Sequence, residues 1–116
     1  MKLTAGELVD LIGIDAVNRL IREAGKAPVD NRHGSRHAAV ILAKNMQPIC
    51  YGFNIFSRHA ELHAIQKWLA TPKFRGKKAA AIVVIRRNKT GKLTESKPCE
   101  KCQVLLDGVG LKVYHS

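Results

Sequence analysis

The sequence predicts an α/β fold, a three-layer sandwich in which a mixed sheet of about four strands has helices on both faces. Three observations lead to this prediction. The chain has 116 residues, enough for one hydrophobic core. Short β-branched or apolar runs alternate with segments of helical periodicity, so some strands should pair in parallel through right-handed crossovers. Residues 79–85 are uninterruptedly apolar, which is typical of an interior strand covered on both faces.

Two helices are predicted before the sheet begins. Thr4 and Glu7 have the spacing of a capping box, so a short helix should begin near Ala5 and end at Gly13. A second helix has one apolar stripe, formed by Val17, Leu20, Ile21 and Ala24. Gly25 follows it, where a left-handed cap is expected. We predict that these helices, residues 1–25, join a core at residues 38–114 in a single domain, residues 1–116.

The remaining elements follow from short patterns. Residues 38–43 and 49–53 should form an antiparallel hairpin, and a largely buried helix should run over residues 59–69. A further helix is predicted from Cys99 to Leu106, with a last strand over residues 111–114. Two basic segments, residues 71–78 and 86–97, are predicted to be loops.

Charge and composition limit the partners of the chain. There are 20 Lys and Arg against 9 Asp and Glu, a net charge of +11, which favours a polyanionic partner or a phosphate-bearing substrate. A merely solvated basic surface is the alternative. There is no apolar stretch of about 18 residues, and Glu7 comes too early for a signal peptide. We therefore expect an intracellular, cytoplasmic protein with no membrane partner.

Two local motifs carry the chemistry: His59-Ala60-Glu61 and Pro98-Cys99-Glu100-Lys101-Cys102, each opening a predicted helix. Cysteines three residues apart in a first helical turn point to the same side, so both thiolates can reach one ion. His59, Cys99 and Cys102 are thus candidate ligands of Zn²⁺, and three protein ligands leave a position for water, as in catalytic zinc sites. Glu61 is placed to act as the proton shuttle. A redox pair or a structural zinc knuckle would not explain His59-Ala60-Glu61.

These motifs resemble those of the zinc-dependent cytidine and deoxycytidylate deaminase superfamily, in which H-x-E is followed by P-C-x-x-C. The resemblance runs from about Ala38 to Tyr114 and implies the cytidine deaminase-like fold. It implies the same zinc ligands and the same acid/base. Gly52-Phe53-Asn54 is similar to the G-x-N of the family, which makes Asn54 a candidate substrate-binding residue, and the backbone of Ala60 would face the base.

The resemblance implies hydrolytic deamination of a cytosine base, in a nucleotide such as dCMP or CMP or in single-stranded nucleic acid. Adenosine deamination in tRNA uses the same zinc machinery and stays open. So does a non-catalytic, zinc-stabilised nucleic-acid-binding module. Members of the family commonly have further elements after the strand that here ends at Tyr114, so an open sheet edge and a homo-oligomer are expectations.

Three other residues receive structural interpretations. Cys50 lies in a predicted strand and should be a small buried hydrophobe rather than a ligand. His63 should pack or form hydrogen bonds, because three ligands are already supplied. Trp68 should belong to the core, with stacking on a base as the alternative.

Overall fold

A computed structural model describes residues 1–26, 36–54, 59–88, 90–96 and 100–116, apart from the side chains of Arg75, Glu100, Lys101 and Cys102. The helices are α1 (Ala5–Ile12), α2 (Ile14–Gly25), α3 (Ala60–Ala70), α4 (Pro72–Arg75) and α5 (Glu100–Gly108). The strands are β1 (Arg36–Ala43), β2 (Pro48–Phe53), β3 (Ala79–Arg87), β4 (Leu93–Thr94) and β5 (Lys112–His115). In the part of the chain given by these ranges, no helix is both long and apolar enough to cross a membrane.

The five strands form one mixed sheet, which confirms the predicted fold class. Strand β1 lies between β2 and β3 and is antiparallel to both. On its other side β3 pairs in parallel with β5 and, near its end, antiparallel with β4. Strands β2 and β3 therefore point in the same direction, and each is followed along the chain by a helix that returns across the sheet.

Alternating side chains of the central strands fill two separate cores. Val40 of β1 and Val83 of β3 pack on the face covered by α1 and α2. Their neighbours Ile41 and Ile82 pack on the opposite face, with Ala64 of α3 and other residues of α3 and α5. The apolar run in β3 is buried on both faces, as predicted, because helices cover both.

Three local predictions need correction. The predicted loop after residue 85 includes the end of β3 and the two-residue strand β4, which is too short to produce a periodic pattern. A single helical turn, α4, lies in the predicted loop of residues 71–78. The left-handed cap at Gly25 is wrong: α2 includes Gly25, and Arg36 Nη1 donates to its carbonyl at 2.6 Å. Arg87 Nη1 donates to Ile21 O in the same last turn, so two arginines bind carbonyl groups at the end of α2.

Both edges of the sheet have local protection. On β2, Lys67 Nζ donates to Tyr51 O at 2.6 Å, and His63 Nδ1 lies 3.1 Å from the nitrogen and 3.0 Å from the oxygen of Phe53. On β5, the backbone nitrogen of Leu3 donates to His115 O, and His115 N donates to the carbonyl of Met1. These contacts occupy edge groups that could otherwise pair with another chain. Self-association stays a prediction.

The N-terminal half of α3 lies directly on β2 at Gly52. A Cβ atom at Gly52 would lie 2.5 Å from Ala64 N and 2.9 Å from Ala60 O, both of them backbone atoms of the helix. Backbone cannot move aside as a flexible side chain can, so only glycine permits this approach. The approach sets the position of α3 relative to the end of β2.

We expect Gly52→Ala to lower the free energy of unfolding by about 1–3 kcal/mol, because the added methyl group must push α3 away from the strand. Urea denaturation of the purified variant would measure this change. Gly76→Ala is the matched control, since a Cβ there meets no atom within 4 Å and the φ angle is −78°. Equal stability of the two variants would contradict the close packing.

Candidate active site

One end of the sheet collects the beginnings of two helices. Helix α3 begins just after the end of β2, and α5 begins after the β3–β4 hairpin. Because β2 and β3 point the same way, their carboxyl ends lie at the same end of the sheet. Helix α5 then leads back to the start of β5, which pairs with the start of β3. This end, the site end, is where ligands bind in open α/β sheets.

His59 is the N-cap residue of α3, with φ −72° and ψ 156°, and it is exposed. Its side chain makes no capping hydrogen bond, while its carbonyl accepts from His63 N at 3.0 Å. The imidazole therefore lies exposed at the entrance of the helix. An accessible imidazole at this position suits a metal ligand.

Glu61 lies in the first turn of α3 and is only 5% exposed. Among the described residues, no hydrogen bond or ion pair of its carboxylate is seen. Buried carboxylates are costly unless paired or bound to a ligand. The positive end of the helix dipole partly compensates for this cost, because Glu61 is only two residues from the N-cap.

Asn54 follows β2 at the site end and is half-buried. Its Oδ1 accepts from His37 N at 2.8 Å, and its own backbone nitrogen donates to His37 O at 3.2 Å. The oxygen of the side chain is thus committed to β1, which leaves the Nδ2 amide as the donor for another group. The contact with His37 was not predicted, because no sequence pattern connects residues that meet only through strand pairing.

Ala60 is fully buried, and its side chain packs with Ala64 against β2. As the first residue of α3, it has a backbone N–H that the helix itself does not satisfy. This N–H lies next to Glu61 and faces away from the body of the helix. The prediction that the backbone of Ala60 contacts the base is compatible with this placement and stays a prediction.

The two cysteines of the second motif are described only in part. Cys99 lies outside the described residues, and of Cys102 only the backbone is described, in the first turn of α5. Among the side chains that the structure describes, no group of three His, Cys, Asp or Glu is close enough to hold a metal ion. Since two of the three predicted ligands are not among them, the ligand set stays a prediction.

Cys50 is a buried thiol in β2, as predicted. It is 2% exposed, and its Sγ donates to Ala64 O at 3.3 Å. Burial raises the pKa of this thiol to about 11, and the nearby Lys67 only partly opposes the effect. A thiol that stays protonated at neutral pH is a poor zinc ligand, because the thiolate is the binding form.

Two other predicted roles are also resolved. His63 packs its ring against that of Phe53, edge to face at 5.0 Å, and contacts the β2 backbone. Trp68 is partly buried against the α3 side of the core, and its Nε1 donates to Lys77 O at 3.0 Å. His63 thus packs and forms hydrogen bonds as predicted, while Trp68 packs against the core but is only partly buried.

The basic segments occupy different ends of the molecule. Arg87 of the second segment lies at the site end, where its side chain binds the end of α2. The first segment, with Lys73, Lys77 and Lys78, follows α3 and therefore lies at the opposite end of the sheet. Only the second segment can border the candidate site.

Solved structures of cytidine deaminases share this architecture. The structure from Burkholderia pseudomallei matches with a TM-score of 0.60 and 19% identity, covering 96% of this chain and 83% of that chain. The structure from Mycobacterium tuberculosis has a TM-score of 0.57 and 19% identity, covering 85% and 79%. That from Mycobacterium leprae has a TM-score of 0.55 and 18% identity, covering 83% and 81%.

No protein-family model matches the chain, and no curated protein is significantly similar to it. The structural matches extend over most of both chains, and they cover the mixed sheet together with its helices. They agree with the fold that the two motifs predicted. The chain therefore has the fold of the cytidine deaminase-like superfamily.

Proposed function

We propose that this protein is a zinc-dependent hydrolytic deaminase of a cytosine base, in a nucleotide such as dCMP or CMP or in single-stranded nucleic acid. His59, Cys99 and Cys102 hold the metal, Glu61 transfers protons, and Asn54 and the backbone of Ala60 bind the substrate. The structural neighbours named above are cytidine deaminases, which supports cytosine as the base.

The observation that carries the proposal is the carboxylate of Glu61. It is buried at the N-terminus of α3, two residues from an exposed histidine, at the end of the sheet where α5 begins. A scaffold that used zinc only for stability would gain nothing from a buried carboxylate without a described partner. A proton-transfer group needs both burial and such freedom, since it must bind reacting atoms.

The donor set fits zinc. One imidazole and two thiolates are typical ligands of Zn²⁺. His59 is the N-cap residue of α3, and the backbone of Cys102 lies in the first turn of α5, which begins at the same end of the sheet. When bound, the ion would lower the pKa of water and so supply a nucleophile at neutral pH. Glu61 and His59 are too close in sequence for both to be obvious ligands, which assigns Glu61 to proton transfer.

The residues of the chain divide the remaining work. Glu61 takes a proton from the water that attacks C4 of cytosine and delivers it to ring N3. It then transfers the second proton to the departing amine, so that water and cytosine give uracil and ammonia. The Nδ2 amide of Asn54 donates to a substrate acceptor, since its Oδ1 is held by His37 N. The N–H of Ala60 is a second donor at the end of the helix.

Glu61→Gln should reduce kcat by about 10²–10⁴-fold, because glutamine keeps the shape of the side chain but cannot accept and return a proton. Ammonia release from cytidine, dCMP, a cytosine-containing oligonucleotide and a tRNA would measure turnover and identify the base. Glu95→Gln is the matched control, since Glu95 forms only an exposed ion pair with Lys2. Absence of turnover on all four substrates would contradict the proposal and leave a non-catalytic binding module.

Asn54→Asp should separate the two functions of this side chain. Aspartate keeps an oxygen that can accept from His37 N, so the fold should be retained, but it loses the Nδ2 donor. We expect kcat/KM to fall by about tenfold or more, the effect of losing a hydrogen bond of roughly 1.4 kcal/mol. Steady-state kinetics and a thermal melt would measure both properties. Unchanged kinetics would exclude Asn54 from substrate binding.

A further inference from the structure

Positive charge is concentrated in one part of the chain. Residues 62–94 contain nine Lys and Arg and no Asp or Glu. Four exposed lysines, the distal basic surface, lie at the end of the sheet opposite the site end: Lys44, Lys73, Lys77 and Lys78. Three of them belong to the acid-free segment, and Lys44 comes from the turn between β1 and β2.

Two of these lysines flank the last paired positions of β1 and β3. Ala43 pairs with Ala79 in the antiparallel ladder between the two strands. Lys44 follows Ala43 in the turn after β1, and Lys78 directly precedes Ala79, so both lie at the same end of the sheet. Like charges at one end of a sheet repel each other, so folding alone does not favour this arrangement.

In the described part of the chain, no acidic side chain forms an ion pair with the distal basic surface. The ion pairs seen there involve Lys2, Arg19 and Lys26, all outside this surface. The segment that carries the surface is nevertheless held in place, because Trp68 Nε1 donates to Lys77 O and Lys73 Nζ lies 5.0 Å from the centre of the Phe74 ring. A fixed cluster of unneutralised ammonium groups is complementary to a polyanion.

The distance from the site determines which polyanion fits. Helix α3 has 11 residues, about 16 Å, and separates the site end from the distal basic surface. The phosphate of a mononucleotide is attached to the same sugar as the base and does not span this length. A single strand with a stacked rise of about 3.4 Å per nucleotide spans it in roughly five nucleotides.

We propose that the distal basic surface binds the phosphate backbone of a single-stranded nucleic acid whose base enters the candidate site. The inference rests on the proposed function, since base chemistry at the site end requires an unstacked base. The proposed substrate is therefore a nucleic-acid strand and not a free nucleotide. An anionic membrane would satisfy the charge but would not supply a base to the site, so vesicle binding is an alternative outcome of the test.

The test compares two triple variants that each remove three positive charges. The distal variant is Lys73→Gln, Lys77→Gln, Lys78→Gln. The control is Lys2→Gln, Arg22→Gln, Lys26→Gln, which changes exposed residues away from the start of β3. Fluorescence anisotropy would measure binding of a 15-nucleotide strand and a 3-nucleotide strand, as RNA and as DNA, over a salt titration. Vesicles containing anionic lipid form a separate arm.

We expect the distal variant to lose affinity for the long strand, with a salt slope that is smaller by roughly 2, because about 0.7 is lost per phosphate contact on a single strand. The control variant should retain most of the affinity, and binding of the short strand should be equal in all proteins. The RNA and DNA arms identify the natural strand, and either one supports the proposal.

Three results would overturn the proposal: equal losses in both variants, equal losses for the long and short strands, or binding to vesicles without binding to strands. Turnover of free cytidine without strand binding would sustain the deaminase and reject the surface. Strand binding without any turnover would support the surface and contradict the deaminase.

Discussion

The contact between α3 and Gly52 is the constraint on which the candidate site depends. The helix backbone lies so close to β2 that no side chain fits between them. This contact fixes the distance between the end of β2, where Asn54 binds β1, and the first turn of α3, where Glu61 is buried. Side chains from the middle of α3 complete the attachment by binding edge groups of β2.

The direction of the strands determines at which end of the sheet the following helices begin. Because β2 and β3 are both antiparallel to β1, the helices that follow them begin at one end of the sheet. The partial positive charges of two helix N-termini therefore lie at this end, where we propose that a nucleophile and a carboxylate are stabilised. The opposite end receives the start of β3 and the lysines that precede it. We thus propose proton chemistry at one end of α3 and charge attraction at the other.

The sequence was most informative where a signal is local. The capping box of α1 forms as predicted, with Thr4 and Glu7 each accepting a backbone hydrogen bond from the other. The hairpin, α3 and β3 were predictable because each has a clear hydrophobic pattern. The H-x-E motif likewise placed Glu61 in a first helical turn, because the helix begins within the motif itself.

The structural features that the sequence did not predict depend on contacts between residues that are distant in sequence. Carbonyl groups at the end of α2 accept hydrogen bonds from Arg36 and Arg87. The edge of β5 forms backbone hydrogen bonds with the start of the chain. The pairing of Asn54 with His37 likewise arises only when β1 and β2 come together. Local motifs predict candidate residues for the chemistry, while recognition of the substrate depends on surfaces that the tertiary structure assembles.

The most direct test of the central claim is the zinc content of the purified protein and of single-cysteine variants, measured by mass spectrometry of the metal. The account predicts one zinc ion per chain in the unsubstituted protein and in Cys50→Ser, since Cys50 is a buried thiol with a pKa of about 11. Cys99→Ser and Cys102→Ser should each lose most of the metal, because a serine hydroxyl is a poor replacement for a thiolate. Full zinc content in either variant, or loss of zinc from Cys50→Ser, would contradict the account.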